Sequence, residues 1–227
     1  MTATPIELAV LDMAGTTVSD DGLVLRAFAA AADAAGLPPE GVEADDARRY
    51  VLDTMGQSKI VVFRALFGDE DRAQAANIAF ESAYDRLIEE GNAEPIPGAA
   101  ESITALREAG IKVALSTGFS RGTQDKLLSA LGWQTIANLT LSPAEAGRGR
   151  PYPDLILTAL LRLRVDDVKS VAILGDTSND VTSGLRSGAS IVAGTLTGAH
   201  DEDQLRAAGA THIVPSVREF ARLLLNP

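Results

Sequence analysis

The regular alternation of short apolar runs with helical segments, which begins at about residue 99, restricts the fold of this chain more than any other feature. The runs are too short for buried helices and end in small or polar residues, which is typical of buried strands. We predict strands at residues 111–116, 138–141, 170–174, 190–193 and 212–214. We predict helices at residues 99–109, 121–131, after 153, at 179–186, 201–208 and from 216 onwards. Such a series folds as an α/β protein with a doubly wound, mostly parallel sheet.

The first apolar run, residues 6–11, leads directly into Asp12 and then into a turn that contains Gly15, Thr16 and Thr17. We predict a buried parallel strand that ends at Asp12. In open α/β sheets, ligands bind at the carboxyl ends of the strands, next to the point where the strand order reverses, so Asp12 is a candidate for chemistry. Capping of the following helix is the competing interpretation for a single aspartate after a strand.

Residues 18–97 interrupt the alternation, because they show helical spacing and no convincing strand. We predict helices at residues 23–35, 44–53, 58–67 and 69–90. The sequence Pro-Ile-Pro-Gly that closes this region is typical of a linker at which an inserted segment rejoins its parent domain. We therefore expect a core domain of residues 1–17 and 98–227 and an inserted α-helical cap domain of residues 18–97, which would cover the Asp12 turn as a lid.

The composition limits the chemistry that the chain can perform. Its 227 residues carry a formal net charge of −11 and include no cysteine and two histidines, His200 and His212. Disulfides and thiolate catalysis are excluded, and carboxylates are left as the ligands of any metal, which favours Mg²⁺. The negative charge argues against nucleic acid and anionic membranes as partners. No apolar stretch reaches the roughly 20 residues of a membrane span and the start has no basic segment, so we expect a cytoplasmic protein.

Three further polar segments follow predicted strands or begin the next helices. Residues 116–118, Ser-Thr-Gly, offer a hydroxyl and backbone N–H groups of the kind that bind phosphate oxygens. Arg150 lies in the glycine- and proline-rich loop 147–153, and Asp176 and Asp180 follow the apolar run 170–174. Taken singly, a turn hydroxyl, a solvated arginine and two helix caps explain these residues equally well.

In their order along the chain, these segments resemble the four motifs of the haloacid dehalogenase superfamily of phosphohydrolases. The resemblance extends over nearly the whole chain and implies a Rossmann-like core. It implies that Asp12 is the nucleophile, that Thr117 binds phosphate and that Arg150 takes the place of the usual lysine.

The same resemblance implies a Mg²⁺ site. Asp12, Asp176 and the backbone carbonyl of Ala14 would coordinate the ion, and Asp180 would support the site from behind. The physical requirement agrees, because an attacking carboxylate and a phosphoryl group are both anionic and need cations between them.

Ala14 stands where phosphatases of this superfamily carry a general-acid aspartate, two residues after the nucleophile. Together with Gly-Arg-Pro-Tyr-Pro and Gly-Asp-Thr-x-x-Asp, this departure resembles the phosphonoacetaldehyde hydrolase (phosphonatase) branch. In that branch a Met-Gly-x-x-Lys segment supplies a lysine that forms an imine, or Schiff base, with the substrate aldehyde, and Met55 to Lys59 match it. The resemblance implies cleavage of a carbon–phosphorus bond through a Lys59 imine and an Asp12 aspartyl phosphate. It also implies a homodimer through the cap and substrate contacts from Gly15, Thr16, Met55 and Gly118.

One position departs from the branch: Val62 stands where its pattern has a histidine, so a related 2-oxoalkyl phosphonate is an alternative substrate to phosphonoacetaldehyde. To attack an aldehyde, Lys59 must be neutral, and we expect desolvation and the cations Arg150, Arg48 or Arg49 to lower its pKa from the ordinary value of about 10.4.

The alternative to carbon–phosphorus cleavage is a phosphatase that acts on a small phosphomonoester. A binding protein that keeps the pocket is disfavoured by the intact aspartates.

Overall fold

A computed structural model describes residues 4–226, in which six parallel strands form one sheet between helices. The strands are β1 Leu8–Asp12, β2 Lys112–Ser116, β3 Leu139–Leu141, β4 Val171–Gly175, β5 Ile191–Thr195 and β6 His212–Val214. Their order across the sheet is β3-β2-β1-β4-β5-β6, and every neighbouring pair is parallel. The predicted α/β, doubly wound parallel sheet is confirmed.

Strand β1 lies at the point where the strand order reverses. The chain moves outward from β1 to β2 and β3 and then returns to place β4 on the other side of β1. Ala9 and Leu11 pack into one hydrophobic cluster, and Leu8 and Val10 pack into the other, so β1 is buried on both faces. The carboxyl ends of β1 and β4 therefore meet at the place where doubly wound sheets bind ligands.

Ten α-helices occur within residues 4–226. They are α1 Leu23–Ala34, α2 Val42–Asp53, α3 Lys59–Phe67, α4 Glu70–Glu89, α5 Ala99–Glu108, α6 Arg121–Ala130, α7 Asp154–Arg162, α8 Ser178–Ser187, α9 Glu202–Ala207 and α10 Val217–Leu225. Each helix and strand expected from the sequence is present, with ends that differ by at most two residues. Two 3₁₀ helices, Pro143–Glu145 and Val168–Ser170, were not expected. Within the same residues, none of the helices combines the length and the apolar character that a membrane crossing requires.

Helices α1 to α4 form a compact group, which we call the helical insertion (residues 18–97); the remaining described residues form the sheet core. The two are joined where the Ser19 N–H donates to the Glu94 carbonyl (2.8 Å) and the Ile96 N–H donates to the Thr17 carbonyl (3.0 Å). The two chain segments that connect the insertion to the sheet core therefore run side by side and fix its base.

Aromatic packing holds the insertion against the loop that follows β2. Phe63 of α3 and Phe80 of α4 pack with ring centroids 5.9 Å apart, and Phe80 packs on Tyr84 at 5.9 Å. Phe119 of the sheet core completes the cluster, with its ring centroid 4.5 Å from that of Tyr84. Aromatic pairs of this kind contribute about 0.5–1.5 kcal/mol beyond the area they bury, so this cluster stabilises the contact between insertion and core.

Candidate active site

Arg150 links two carboxylates at the carboxyl edge of the sheet. Its Nη2 lies 2.7 Å from Asp12 Oδ1, and its Nε lies 2.7 Å from Asp180 Oδ1. The same Nη2 donates to the Ser116 hydroxyl at the end of β2 (2.8 Å). Arg150 is only 7% exposed, so the pairs are shielded from water and the guanidinium is held in one orientation.

Asp176 follows β4 directly and is fixed by two donors. The Thr16 hydroxyl donates to its Oδ1 (3.1 Å), and the Ala199 N–H donates to its Oδ2 (2.8 Å). Burial raises the pKa of Asp176 well above its ordinary range, and the charges of Asp12 and Asp180 raise it further. Asp176 therefore lies in a field with an excess of negative charge.

Asp12, Asp176 and Asp180 together could hold a metal ion. Each offers a carboxylate oxygen, and these oxygens lie within 4.8 Å of one another. Burial raises the pKa of Asp12 to about 6, although the Arg150 charge opposes that shift. One guanidinium cannot balance three carboxylates, and a cluster of buried carboxylate oxygens with an uncompensated charge fits a hard divalent cation such as Mg²⁺.

Asp180 has two structural roles at once. Its Oδ2 accepts from the Thr177 N–H (3.1 Å) and from the Thr177 hydroxyl, which forms a capping box at the start of α8. Its other oxygen pairs with Arg150. Thr177 is thus the N-cap of α8 and Asp180 is its capping-box partner in the first turn, and the same Asp180 side chain also belongs to the charged cluster.

Thr117 and Gly118 follow β2 and face the helical insertion. The Thr117 hydroxyl oxygen accepts from the Phe119 N–H (3.2 Å), which leaves its proton available to a ligand. A Cβ atom on Gly118 would lie 2.6 Å from the Gln57 carbonyl oxygen, closer than real Cβ contacts. The insertion can approach the segment of Thr117 and Gly118 this closely only because residue 118 is glycine.

Three hydrogen bonds hold the loop of residues 55–57 on the sheet core. The Asn179 amide donates to the Met55 carbonyl (2.7 Å), and the Gln57 amide donates to the Asn179 side-chain oxygen (3.2 Å). Arg150 Nη1 donates to the Gly56 carbonyl (3.4 Å). Asn179 therefore connects the start of α8 to the loop that precedes Lys59.

A cavity of about 360 Å³ lies between the insertion and this edge of the sheet. The predicted site residues that line it are Asp12, Ala14, Met55, Lys59, Thr117, Gly118, Arg150 and Asp176. Among the described residues, Gly15, Thr16 and Asp180 do not line it. Thr16 is fully buried and donates to Asp176, so Gly15 and Thr16 lie behind the cavity instead of facing a substrate as expected.

Lys59 is the first residue of α3 and reaches the cavity beside two aromatic rings. Its Nζ lies 5.7 Å from the ring centroids of both Phe80 and Phe119. Desolvation lowers the pKa of Lys59 to about 8, against the opposing charges of Asp20 and Asp12, and the Arg150 charge also lowers it. The expected help from the arginines of α2 is not seen, because Arg49 pairs with Asp46 at the surface (3.0 Å).

Several residues of the site were not predicted from the sequence. Thr197 donates to the Gly15 carbonyl (2.7 Å), and it lies with Ala199 in the loop after β5. The position of that loop at the carboxyl edge was the available signal, because the argument used for Asp12 applies equally to β5. Asn179 lies inside a motif that we quoted, but nothing in the sequence indicates its contact with residues 55–57. Asp20 also lines the cavity, and no sequence pattern marks it.

Comparison with known proteins shows what the chain is similar to as a whole. The family model of haloacid dehalogenase-like hydrolases matches residues 6–188. A Dickeya dadantii protein named "Probable phosphatase IndB" is 26% identical over 216 residues, 93% of this chain and 90% of the relative. A phosphonoacetaldehyde hydrolase of Bacillus cereus is 30% identical over 201 residues, 81% of this chain and 73% of the relative. The crystal structure of a phosphonoacetaldehyde hydrolase-like protein from Oleispira antarctica has a TM-score of 0.83 and 24% identity, covering 99% of this chain and 93% of that one.

Proposed function

The chain belongs to the haloacid dehalogenase-like hydrolases, and from that premise we propose that it cleaves the carbon–phosphorus bond of phosphonoacetaldehyde or a related 2-oxoalkyl phosphonate. The position of Lys59 carries this proposal. An amine with a pKa lowered to about 8 lines the same cavity as Asp12, the candidate nucleophile. The similarity to phosphonoacetaldehyde hydrolases supports the same assignment.

The chemistry needs an electron sink on the carbon side, because a carbon leaving group has no oxygen lone pair to protonate. The Lys59 amine adds to the substrate aldehyde, and loss of water gives a protonated imine. An Asp12 oxygen then forms a bond to phosphorus, the carbon–phosphorus electron pair forms a carbon–carbon double bond, and the imine π electrons move to nitrogen. The enamine takes a proton from solvent and is hydrolysed to the aldehyde. Water finally hydrolyses the aspartyl phosphate, which restores Asp12 and releases phosphate.

Ala14 fits this assignment. Its methyl group lines the cavity two residues after Asp12, where it cannot donate a proton to an alkoxide. An enamine leaving group does not need that donor, whereas a simple phosphoester does.

The phosphoryl group would be bound by the sheet core. Arg150 and the Thr117 hydroxyl are placed to bind its oxygens, together with backbone N–H groups of the segment around Gly118. Asp12, Asp176 and the Ala14 carbonyl would hold Mg²⁺, with Asp180 fixing Arg150 behind them. When bound, that ion would reduce the repulsion between Asp12 and the anionic phosphonate.

The helical insertion would act as a cap that excludes water and delivers Lys59. The docking of residues 55–57 on Asn179 and the cavity between insertion and core support this role. A homodimer through the cap stays a prediction, supported by the exposed apolar side chains Val42, Val61 and Ile78 of its helices.

Borohydride trapping tests the proposal. Incubation with phosphonoacetaldehyde and borohydride should reduce the imine and leave an irreversible mass adduct on Lys59, located by peptide mass spectrometry. Lys59→Arg should abolish the adduct and carbon–phosphorus cleavage, whereas Lys126→Arg, an exposed lysine paired with Asp85, should retain both. Cleavage by Lys59→Arg at the wild-type rate would refute the imine.

A phosphatase that acts on a small phosphomonoester is the second candidate. The similarity to the Dickeya dadantii protein named as a phosphatase, over 90% of its length, favours it. The Lys59→Ala variant separates the two candidates. If this variant releases phosphate from a phosphomonoester at the wild-type rate, the phosphatase is supported.

A further inference from the structure

We propose that Asp20 is the acid–base group on the carbon side of the reaction, where it protonates the hydroxyl that leaves when the Lys59 imine forms. This inference rests on the proposed function. The phosphonatase pattern has a histidine three residues after its lysine, whereas this chain has Val62 there. Proton transfer during imine formation therefore needs another group. Val62 is 3% exposed within the hydrophobic core and carries no proton to transfer.

Asp20 is fixed at the base of the insertion. The neighbouring Ser19 N–H donates to the Glu94 carbonyl (2.8 Å), which ties this part of the chain to the returning segment. The Asp20 carbonyl accepts from the Leu23 N–H (2.6 Å), and its Oδ1 accepts from the Val24 N–H at the start of α1 (3.3 Å). Backbone donors therefore hold Asp20 in place.

The carboxyl group of Asp20 and the Lys59 amine share one cavity. Both side chains line the 360 Å³ space with Asp12 and Thr117. Among the ion pairs of residues 4–226, none involves Asp20 or Lys59, so neither group is committed to another partner. Asp20 lies in the segment before α1, three residues ahead of Leu23, whereas Lys59 is the first residue of α3, so the two side chains enter the cavity from different segments of the insertion.

The charges around Asp20 are compatible with proton exchange. Desolvation raises the pKa of Asp20, the charge of Asp21 raises it further, and the Lys59 ammonium lowers it. In return, the Asp20 carboxylate is the strongest of the neighbouring charges that raise the pKa of Lys59. The two groups therefore affect each other's protonation inside one enclosed space.

Tyr84 also feels the charges of Asp20 and Asp12, and it is unsuited to the task. Its oxygen is buried and has no hydrogen-bond partner among the described residues. Burial raises the pKa of Tyr84 far above its ordinary value, and the charges of Asp20 and Asp12 raise it further, so it keeps its proton. Asp20 and Asp21 both line the cavity from the insertion, and Asp20 is the one whose charge acts on Lys59.

Lys59 adds to the aldehyde to give a carbinolamine, and Asp20 in its acid form donates a proton to the carbinolamine hydroxyl. The carbon–oxygen bond breaks to release water, while the nitrogen lone pair forms the carbon–nitrogen double bond. When water later attacks the product imine, the Asp20 carboxylate accepts a proton from that water and returns to its acid form.

Asp20→Asn tests the proposal, with Asp33→Asn, at an exposed aspartate of α1 that does not line the cavity, as the control. Turnover of phosphonoacetaldehyde and a panel of other 2-oxoalkyl phosphonates by the wild type is measured first, since absence of turnover on all of them refutes the proposed function itself, whatever Asp20 does. Given wild-type turnover, kcat should fall at least 30-fold in Asp20→Asn and less than threefold in Asp33→Asn. Asp20→Glu should recover part of the loss, and vanadate binding should stay unchanged in all three variants.

Competitive labelling with acetic anhydride supplies a readout that a purely structural role would not move. Because the Asp20 charge raises the pKa of Lys59, Asp20→Asn should lower that pKa and increase the acetylation of Lys59 at pH 7, while turnover falls. Opposite changes in labelling and turnover support proton transfer by Asp20. Turnover within threefold of the wild type, or losses of labelling and turnover together, would overturn it.

Discussion

The sheet edge and the helical insertion contribute to one cavity in different ways. At the sheet edge every charged group is fixed by others: Arg150 by Asp12 and Asp180, and Asp176 by Thr16 and Ala199. In the insertion, Lys59 has aromatic neighbours at 5.7 Å and no ion pair among the described residues.

This difference separates two chemical tasks. Binding a phosphoryl group requires charges that do not move, since electrostatic stabilisation depends on groups already oriented. An amine that forms an imine must instead lose its proton, and strong pairing with a carboxylate would keep it protonated. The comparison therefore predicts that changes in the sheet edge affect every substrate, whereas changes in the insertion affect only those that use Lys59.

Asp12→Asn should have the largest effect. An amide is a poor nucleophile and cannot offer a charged oxygen to Mg²⁺, so we expect at least a 10³-fold loss of activity toward phosphonates and phosphomonoesters alike. Steady-state kinetics on both substrates, with circular dichroism to verify folding, provide the measurement. Asp154→Asn, which loses an exposed pair with Arg148, is the control and should remain within threefold of the wild type. If a folded Asp12→Asn variant keeps its activity toward either substrate, the sheet edge does not act on both substrate classes as predicted.

Ala14→Asp should invert the preference between the two substrate classes. The new carboxyl group can protonate an alkoxide but lies next to Asp12 and repels a phosphonate that has no need of an acid. We expect phosphomonoester hydrolysis to rise at least tenfold and phosphonate cleavage to fall at least tenfold. The ratio of the two rates on one protein is the measurement.

Ala14→Asn controls for size, because asparagine has the volume of aspartate without its acid. Phosphonate cleavage should fall in Ala14→Asn as well, through crowding, but phosphomonoester hydrolysis should not rise. An equal gain in both variants would show that the acid is not responsible.

The fold and the sheet edge could be predicted from the sequence because both depend on local patterns. Apolar runs between turns specify β1 and β4, and parallel strands bring their carboxyl ends to one edge. Asp12 and Asp176 each stand at the end of such a run. Their proximity can therefore be predicted without any knowledge of tertiary contacts.

The insertion's contribution could not be predicted in the same way. Asp20 reaches the cavity because the chain pairs with residues 94–96 before α1 begins, and Asn179 contacts Met55 across 124 positions of sequence. Such contacts depend on how the helical insertion docks on the sheet core. Docking leaves no periodic pattern in the sequence of either region. For the same reason, the expectation that Arg49 acts on Lys59 was wrong. Arg49 pairs with Asp46 instead.

The pH profile sharpens the comparison on the side of the insertion. The pKa of Lys59 is lowered to about 8, so its neutral fraction, and with it imine formation, increases as the pH rises toward that value and levels off above it. We expect phosphonate kcat/KM to increase roughly fivefold between pH 7 and pH 8, following the titration of a single group. Phosphomonoester hydrolysis by the Ala14→Asp variant serves as the reference and should lack this rise. A flat phosphonate profile over that range would mean that the Lys59 amine does not limit the reaction.

Gln57→Ala should give the smallest effect, and it tests how the two regions are held together. The variant removes the hydrogen bond from Gln57 to Asn179 but keeps the bond from Asn179 to the Met55 carbonyl and the aromatic contacts of Phe119. One such bond contributes about 0.5–1 kcal/mol net, which corresponds to a two- to fivefold change in an equilibrium constant. Because docking of the loop precedes the chemistry, the change should appear as a two- to fivefold higher KM with kcat nearly unchanged. Gln134→Ala, at an exposed position of the sheet core, should alter neither constant. If Gln57→Ala instead lowers kcat as strongly as Lys59→Arg, the loop does more than dock, and the catalytic contribution of the insertion would extend beyond Lys59 and Asp20.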